Sequence, residues 1–146
     1  MSTRPQFREP EENTAYLLGQ ALAALQRVIT RGVNASGHDV RAAHSAVFGN
    51  IDHEGTRLTQ LAERARMTPQ AMSELVDDLV TGGYLTRIPD PTDGRAKLIV
   101  LTDLGNVALQ DAFDTIIGIE AELETLLGRT GLLRLRKALH AIAERE

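Results

Sequence analysis

Gln70 and Ser73 stand three residues apart, just after a Thr68-Pro69 pair that marks the start of a helix. Polar side chains of this size near a helix N-terminus can hydrogen-bond base edges in the major groove of DNA. Gln70 suits a two-bond contact with adenine, and Ala71 offers an apolar surface to a thymine methyl. Thr68 can cap the helix or meet a phosphate, because the helix dipole favours an anion there; Pro69 fits the first helical position. Arg57, Arg64, Arg66, Arg87, Arg95 and Lys97 surround this stretch in the chain, and such cations can hold a phosphate backbone without specifying sequence. On an arbitrary surface helix these residues would form a solvated face. The Thr-Pro start before them and a hairpin after them favour the contact reading.

No catalytic constellation competes with that reading. The chain has no P-loop, dinucleotide fingerprint, HExxH or nucleophile elbow. His38, His44, His53 and His140 lack the tight spacing of metal ligands, and the absence of cysteine excludes disulfides, thiolate metal sites and thiol redox sensing. The expectation is no catalytic residue, no metal and no cofactor.

The 146 residues, 42% of them hydrophobic, suit one domain over 1–146 with a core of its own. No apolar run reaches the roughly 18–20 residues of a membrane span. Residues 1–12 are polar, contain Pro5 and Pro10, and read as a frayed arm without a basic-then-apolar leader. These features predict a cytoplasmic protein with no membrane partner. A net charge of −4 argues against nucleic acid until the charges are placed. Residues 1–56 carry −1, residues 57–97 are neutral with six basic and six acidic side chains, and residues 98–146 carry −3. The excess acid lies mainly at the C-terminal end, which leaves the middle open to a polyanion.

The elements that must position these residues follow from periodicity and caps. Ala15, Leu18, Leu22, Leu25 and Ile29 give an amphipathic helix from Glu12 to Arg31, ended by Gly32 and the polar run 34–37. A second helix starts near Asp39 and runs through Val40, Ala43, Val47 and Ile51. A third has Thr59 as N-cap, with Leu61, Ala62 and Ala65 facing inward. Thr68-Pro69 opens a fourth helix with Met72, Leu75, Val76 and Leu79 on one face, and Gly82-Gly83 closes it. Two β-prone runs, 84–88 and 97–102, flank an Asp93-Gly94 hairpin signal. Thr102 caps a long helix towards Leu127, Gly128 to Gly131 breaks it, and a sixth helix carries Leu132, Leu135, Leu139 and Ile142. Two helices joined by a short turn and followed by a hairpin make a winged helix-turn-helix, mainly α with a small β-hairpin wing.

Three groups of residues carry a family resemblance. They are Leu61-Ala62-Glu63-Arg64 with Thr68 to Ser73; Leu79 with Gly83-Tyr84-Leu85 and Arg87; and Asp90 to Arg95 with Leu101-Thr102 and Gly105. Their order and spacing resemble the multiple-antibiotic-resistance regulator (MarR) family of winged-helix transcription factors. The resemblance implies an intertwined homodimer, with 12–56 as N-terminal dimerisation and linking helices, 57–102 as the DNA-binding region and 103–146 as C-terminal dimerisation helices. It implies a repressor of nearby genes that binds double-stranded DNA at a pseudo-palindromic operator. It also implies that Arg95 reaches the minor groove or its phosphates, with Asp93 holding the guanidinium. A small aromatic or anionic effector would sit between the dimer helices and the winged helix, with Tyr16, His44, Phe48 and Phe113 as the side chains to examine. The alternative is a winged-helix dimer acting as a protein-interaction or ligand-binding module with little DNA binding. Arg66 stands where this family often has Gly, Glu74 and Asp78 where it often has Arg or Lys, and Gly94 where a wing arginine is common.

Overall fold

A computed structural model of the protein describes residues 13–145; the polar arm 1–12 and the expected helix start at Glu12 lie outside them. The first helix, α1, is Thr14–Ala35. Asn13 caps it, its Oδ1 accepting from the Tyr16 N–H at 3.1 Å. Gly32 does not end α1 as expected, because it is a packing position. A Cβ there would fall 2.4 Å from Thr115 Oγ1 on the last helix, so glycine lets the two helices approach.

The second helix is far shorter than the expected span from Asp39 to Ile51. It consists of a 3-10 turn, Ala42–His44, and a single α turn, α2, Ser45–Phe48. Tertiary hydrogen bonds hold the preceding residues outside a helix. The Asn34 side chain bonds both the N–H and the C=O of Val40 at 2.9 Å, and the Asp39 N–H donates to Tyr84 Oη at 3.0 Å.

Helix α3, Leu58–Arg64, begins two residues earlier than expected: Arg57, not Thr59, is its N-cap, and the Arg57 N–H donates to Gln60 Oε1. Helix α4, Pro69–Thr81, has the expected bounds. Thr68 Oγ1 accepts from the Ala71 N–H at 3.2 Å, and Met72, Leu75, Val76 and Leu79 are buried. At its end Gly83 takes φ 83 and the Tyr84 N–H returns to Leu79 O, a glycine-terminated C-cap.

Strands β1, Leu85–Asp90, and β2, Asp93–Leu101, form the antiparallel wing. Their tip is at Pro91-Thr92 rather than Asp93-Gly94, since Asp90 pairs with Asp93 and the register shifts just before it. Thr56 adds an antiparallel bridge to Ile99 on the inner side of β2. Helix α5 is Asp103–Ala143, capped by Thr102 and interrupted at Gly128, where φ 70 and ψ 160 are open only to glycine. The expected break is therefore present at Gly128, where a kink divides α5 into two helical stretches. The core lies among α2, α3, α4, the wing base and the first turns of α5, around Val47, Leu61, Met72, Val76, Leu79, Leu85, Ile99 and Ala108. No helix among the described residues is long and apolar enough to cross a membrane.

Candidate nucleic-acid interface and adjoining cavity

The turn between α3 and α4 is built on an unusual residue. Arg66 has φ 54, the left-handed region that normally calls for glycine. The Met67 N–H returns to Ala62 O and the Arg66 N–H to Glu63 O, so Arg66 occupies the place of glycine in a C-capping motif for α3. The turn is thus strained, as the replacement of Gly suggested, and its side chain is exposed. Thr68, Pro69 and Gln70 are exposed on the next turn, while Ala71 and Ser73 are half-buried.

The six cations of 57–97 separate into two sets. Arg57 pairs with the buried Asp90 at 2.6 Å, Arg64 with Asp52 at 2.9 Å, and Arg87 with Asp77 at 2.5 Å. The Arg64 partnership holds the Asp52 carboxyl below its ordinary range. Arg66, Arg95 and Lys97 form no ion pair among the described residues. One unpaired cation therefore stands at the turn before α4 and two on the wing. Of the acids on α4, Asp77 faces Arg87 and Asp78 faces Arg41 and His44. Glu74 is exposed without an ion pair among the described residues.

The carboxylate that organises the wing is Asp90, not Asp93. Asp93 Oδ1 accepts from the backbone N–H of Arg95 at 3.1 Å and is not bonded to its guanidinium. Asp90, only 6% exposed, accepts from the Thr92 N–H, the Thr92 hydroxyl and Arg57. The two Thr92 bonds and then Arg57 lower its carboxyl to about 2. Asp90 thereby ties the wing tip to the start of α3. The Pro-Asp-Pro-Thr pattern, in which an Asp side chain bonds the backbone two residues on, was the available sequence signal.

A cavity of about 360 Å³ lies between α1, α2 and α5. His44, Phe48 and Phe113 line it together, alongside Thr30, Arg41 and Ser45, whose polar groups the sequence did not single out. Tyr16 does not belong to it: it lies near the start of α1, 49% exposed. The remaining wall is aliphatic, including Ile29, Val33, Ala112 and Ile116. Burial lowers the pKa of His44, whose Nδ1 accepts from the Arg41 N–H at 3.0 Å. Among the described residues no three acidic, histidine or cysteine side chains cluster as a metal site would require.

The family model of the MarR family matches residues 38–96, from the extended segment before α2 to the wing. Over that segment the chain is similar to the MarR family. Solved structures share the fold over nearly the whole chain. CouR from Rhodococcus jostii RHA1 bound to p-coumaroyl-CoA is 22% identical, with a TM-score of 0.74 over 96% of this chain and 98% of that one. The transcriptional repressor CouR bound to a 23-mer DNA duplex is 25% identical, with a TM-score of 0.74 over 97% and 100%. PcaV from Streptomyces coelicolor, in complex with its natural ligand, is 19% identical, with a TM-score of 0.73 over 94% and 96%. No curated protein matches the chain. The matched segment contains α3, α4, β1 and the start of β2, whereas the cavity is closed by α1 and α5 from outside it.

Proposed function

We propose that the protein is a DNA-binding transcriptional repressor that acts as a homodimer and responds to a small-molecule effector. The sorting of charge carries the reading. Arg57, Arg64 and Arg87 are used within the fold, while Arg66 precedes the exposed start of α4 and Arg95 and Lys97 stand exposed and unpaired on the wing among the described residues. In this arrangement Gln70 and Ser73, with Ala71 beside them, read base edges, and Thr68 with Pro69 forms a helix start that suits a phosphate. Arg95 and Lys97 on the wing contact the adjacent groove or backbone. Arg57 and Arg87 then act through the fold, holding the wing and α4, with Asp93 shaping the backbone at Arg95. A DNA-bound CouR of the same fold supports the reading, and ligand-bound relatives support an effector in the cavity lined by His44, Phe48 and Phe113.

Gel-shift titration on the DNA upstream of its own gene tests this. Arg95→Ala is expected to weaken binding about tenfold, roughly 1.4 kcal/mol, without changing oligomeric state. Binding that vanishes under competitor DNA would instead favour the interaction-module reading.

A further inference from the structure

We propose that Glu74 is a base-reading residue that selects a cytosine in each half of the operator, its carboxylate accepting from the cytosine N4 amino group in the major groove. This rests on the DNA-binding reading above and names a residue and a base that set its specificity.

Helix α4 carries three exposed acids, and the fold uses two of them. Asp77 is taken by Arg87 of the wing, and Asp78 by Arg41 and His44. Glu74 enters no ion pair among the described residues. The residues that border it in a shallow surface groove, among them Gln26, Met67, Ala71 and Leu75, include no cation. Its charge is left for something outside the subunit.

The position of Glu74 on the helix says what that is. Pro69 is the first residue of α4, so Gln70, Ser73 and Glu74 fall within its first two turns. Spacings of three and four residues make them neighbours on one side of the helix. Met72, Leu75, Val76 and Leu79 are buried on the other side. A groove that admits Gln70 to base edges therefore admits Glu74 as well.

The chemistry of a carboxylate then selects the base. Ionised, it only accepts hydrogen bonds. Phosphate oxygens, guanine O6 and N7 and thymine O4 are themselves acceptors, so Glu74 disfavours them all. The major groove offers amino donors only at cytosine N4 and adenine N6. Adenine N6 stands beside the N7 lone pair of its own base, which repels a carboxylate, whereas cytosine N4 is flanked by C5–H. Glu74 thus lowers affinity for DNA at large and spares one base pair, which widens discrimination. At about 1.5 Å rise per residue Glu74 lies about 6 Å along the axis from Gln70, so the cytosine falls about two base pairs from the adenine that Gln70 contacts.

Full-length wild type, Glu74→Ala, Glu74→Gln and Gln70→Ala would each be carried through selection from random duplex DNA. Competition gel shifts at fixed salt would then cover every single base-pair substitution of the selected half-site. Wild type is expected to select a C·G pair about two steps from the pair whose preference Gln70→Ala abolishes. Glu74→Ala should lose about tenfold discrimination at that C·G pair alone, and bind unrelated DNA more tightly. Glu74→Gln keeps the shape without the charge and should move the preference at that pair towards adenine. A base-preference profile unchanged by both Glu74 variants overturns the proposal. A change of affinity equal across all sequences overturns it as well, since that is the mark of a carboxylate that merely repels phosphate. A wild type that binds no DNA sinks the repressor reading and this proposal with it; sequence-specific binding with an unaltered profile sinks the assignment to Glu74 alone.

Discussion

At Asp90 three hydrogen-bond donors converge on a nearly buried carboxylate, and its pKa falls from 3.8 to about 2. A folded-state pKa below the unfolded one stabilises the fold above about pH 4, and that contribution fades as pH drops towards 2. Asp90→Asn should therefore be less stable than wild type at neutral pH, with the gap closing between about pH 4 and pH 2. Chemical denaturation at stepped pH measures it; a gap constant across that range would remove Asp90 as the wing's anchor. The family resemblance had implied Asp93 as the organising carboxylate, holding the Arg95 guanidinium, but Asp93 accepts only from the Arg95 backbone N–H. Both aspartates sit in one short turn, and which of them points inward depends on the tip falling at Pro91-Thr92, a matter of strand register.

Among the elements, α4 was readable almost to the residue, because Thr68, Pro69 and Gly82-Gly83 are local signals that act on adjacent backbone. The segment before α2 was not. Its apolar spacing is helical, but Asn34 and Tyr84, distant in sequence, take its backbone hydrogen bonds. The turn before α4 yields a prediction with two opposite signs. Arg66→Gly removes a left-handed strain of about 1 kcal/mol and should raise stability. The same change deletes an unpaired cation and should weaken DNA binding while lowering the salt slope by about one unit. Thermal melts and a salt-dependent anisotropy series would report the two effects; a variant that gained stability and kept full affinity would take Arg66 out of the interface.

Over the whole molecule, the apolar surface is unevenly buried. Leu17, Leu22 and Val28 on α1, and Ile117, Leu126, Leu133, Leu135, Leu139 and Ile142 on α5, are all exposed. Beyond Gly128 only Leu132 is buried among the described residues. Apolar faces of this extent suit association with a second copy of the chain. Replacing Leu135 and Leu139 together with Asp is expected to give a monomer in sedimentation while the winged-helix core stays folded by circular dichroism. A dimer surviving both changes would place the interface elsewhere. The sequence by itself determined the helix-turn-helix, the existence of a wing, the position of α4 and the break near Gly128, because caps, turns and periodicity act within a few residues. Only the tertiary structure decided which arginines are spent inside the fold, that Asp90 rather than Asp93 anchors the wing, and that Asp78 faces Arg41 and His44. Those outcomes join residues 10 to 37 positions apart on different elements, and side-chain pairing of that kind depends on how elements dock.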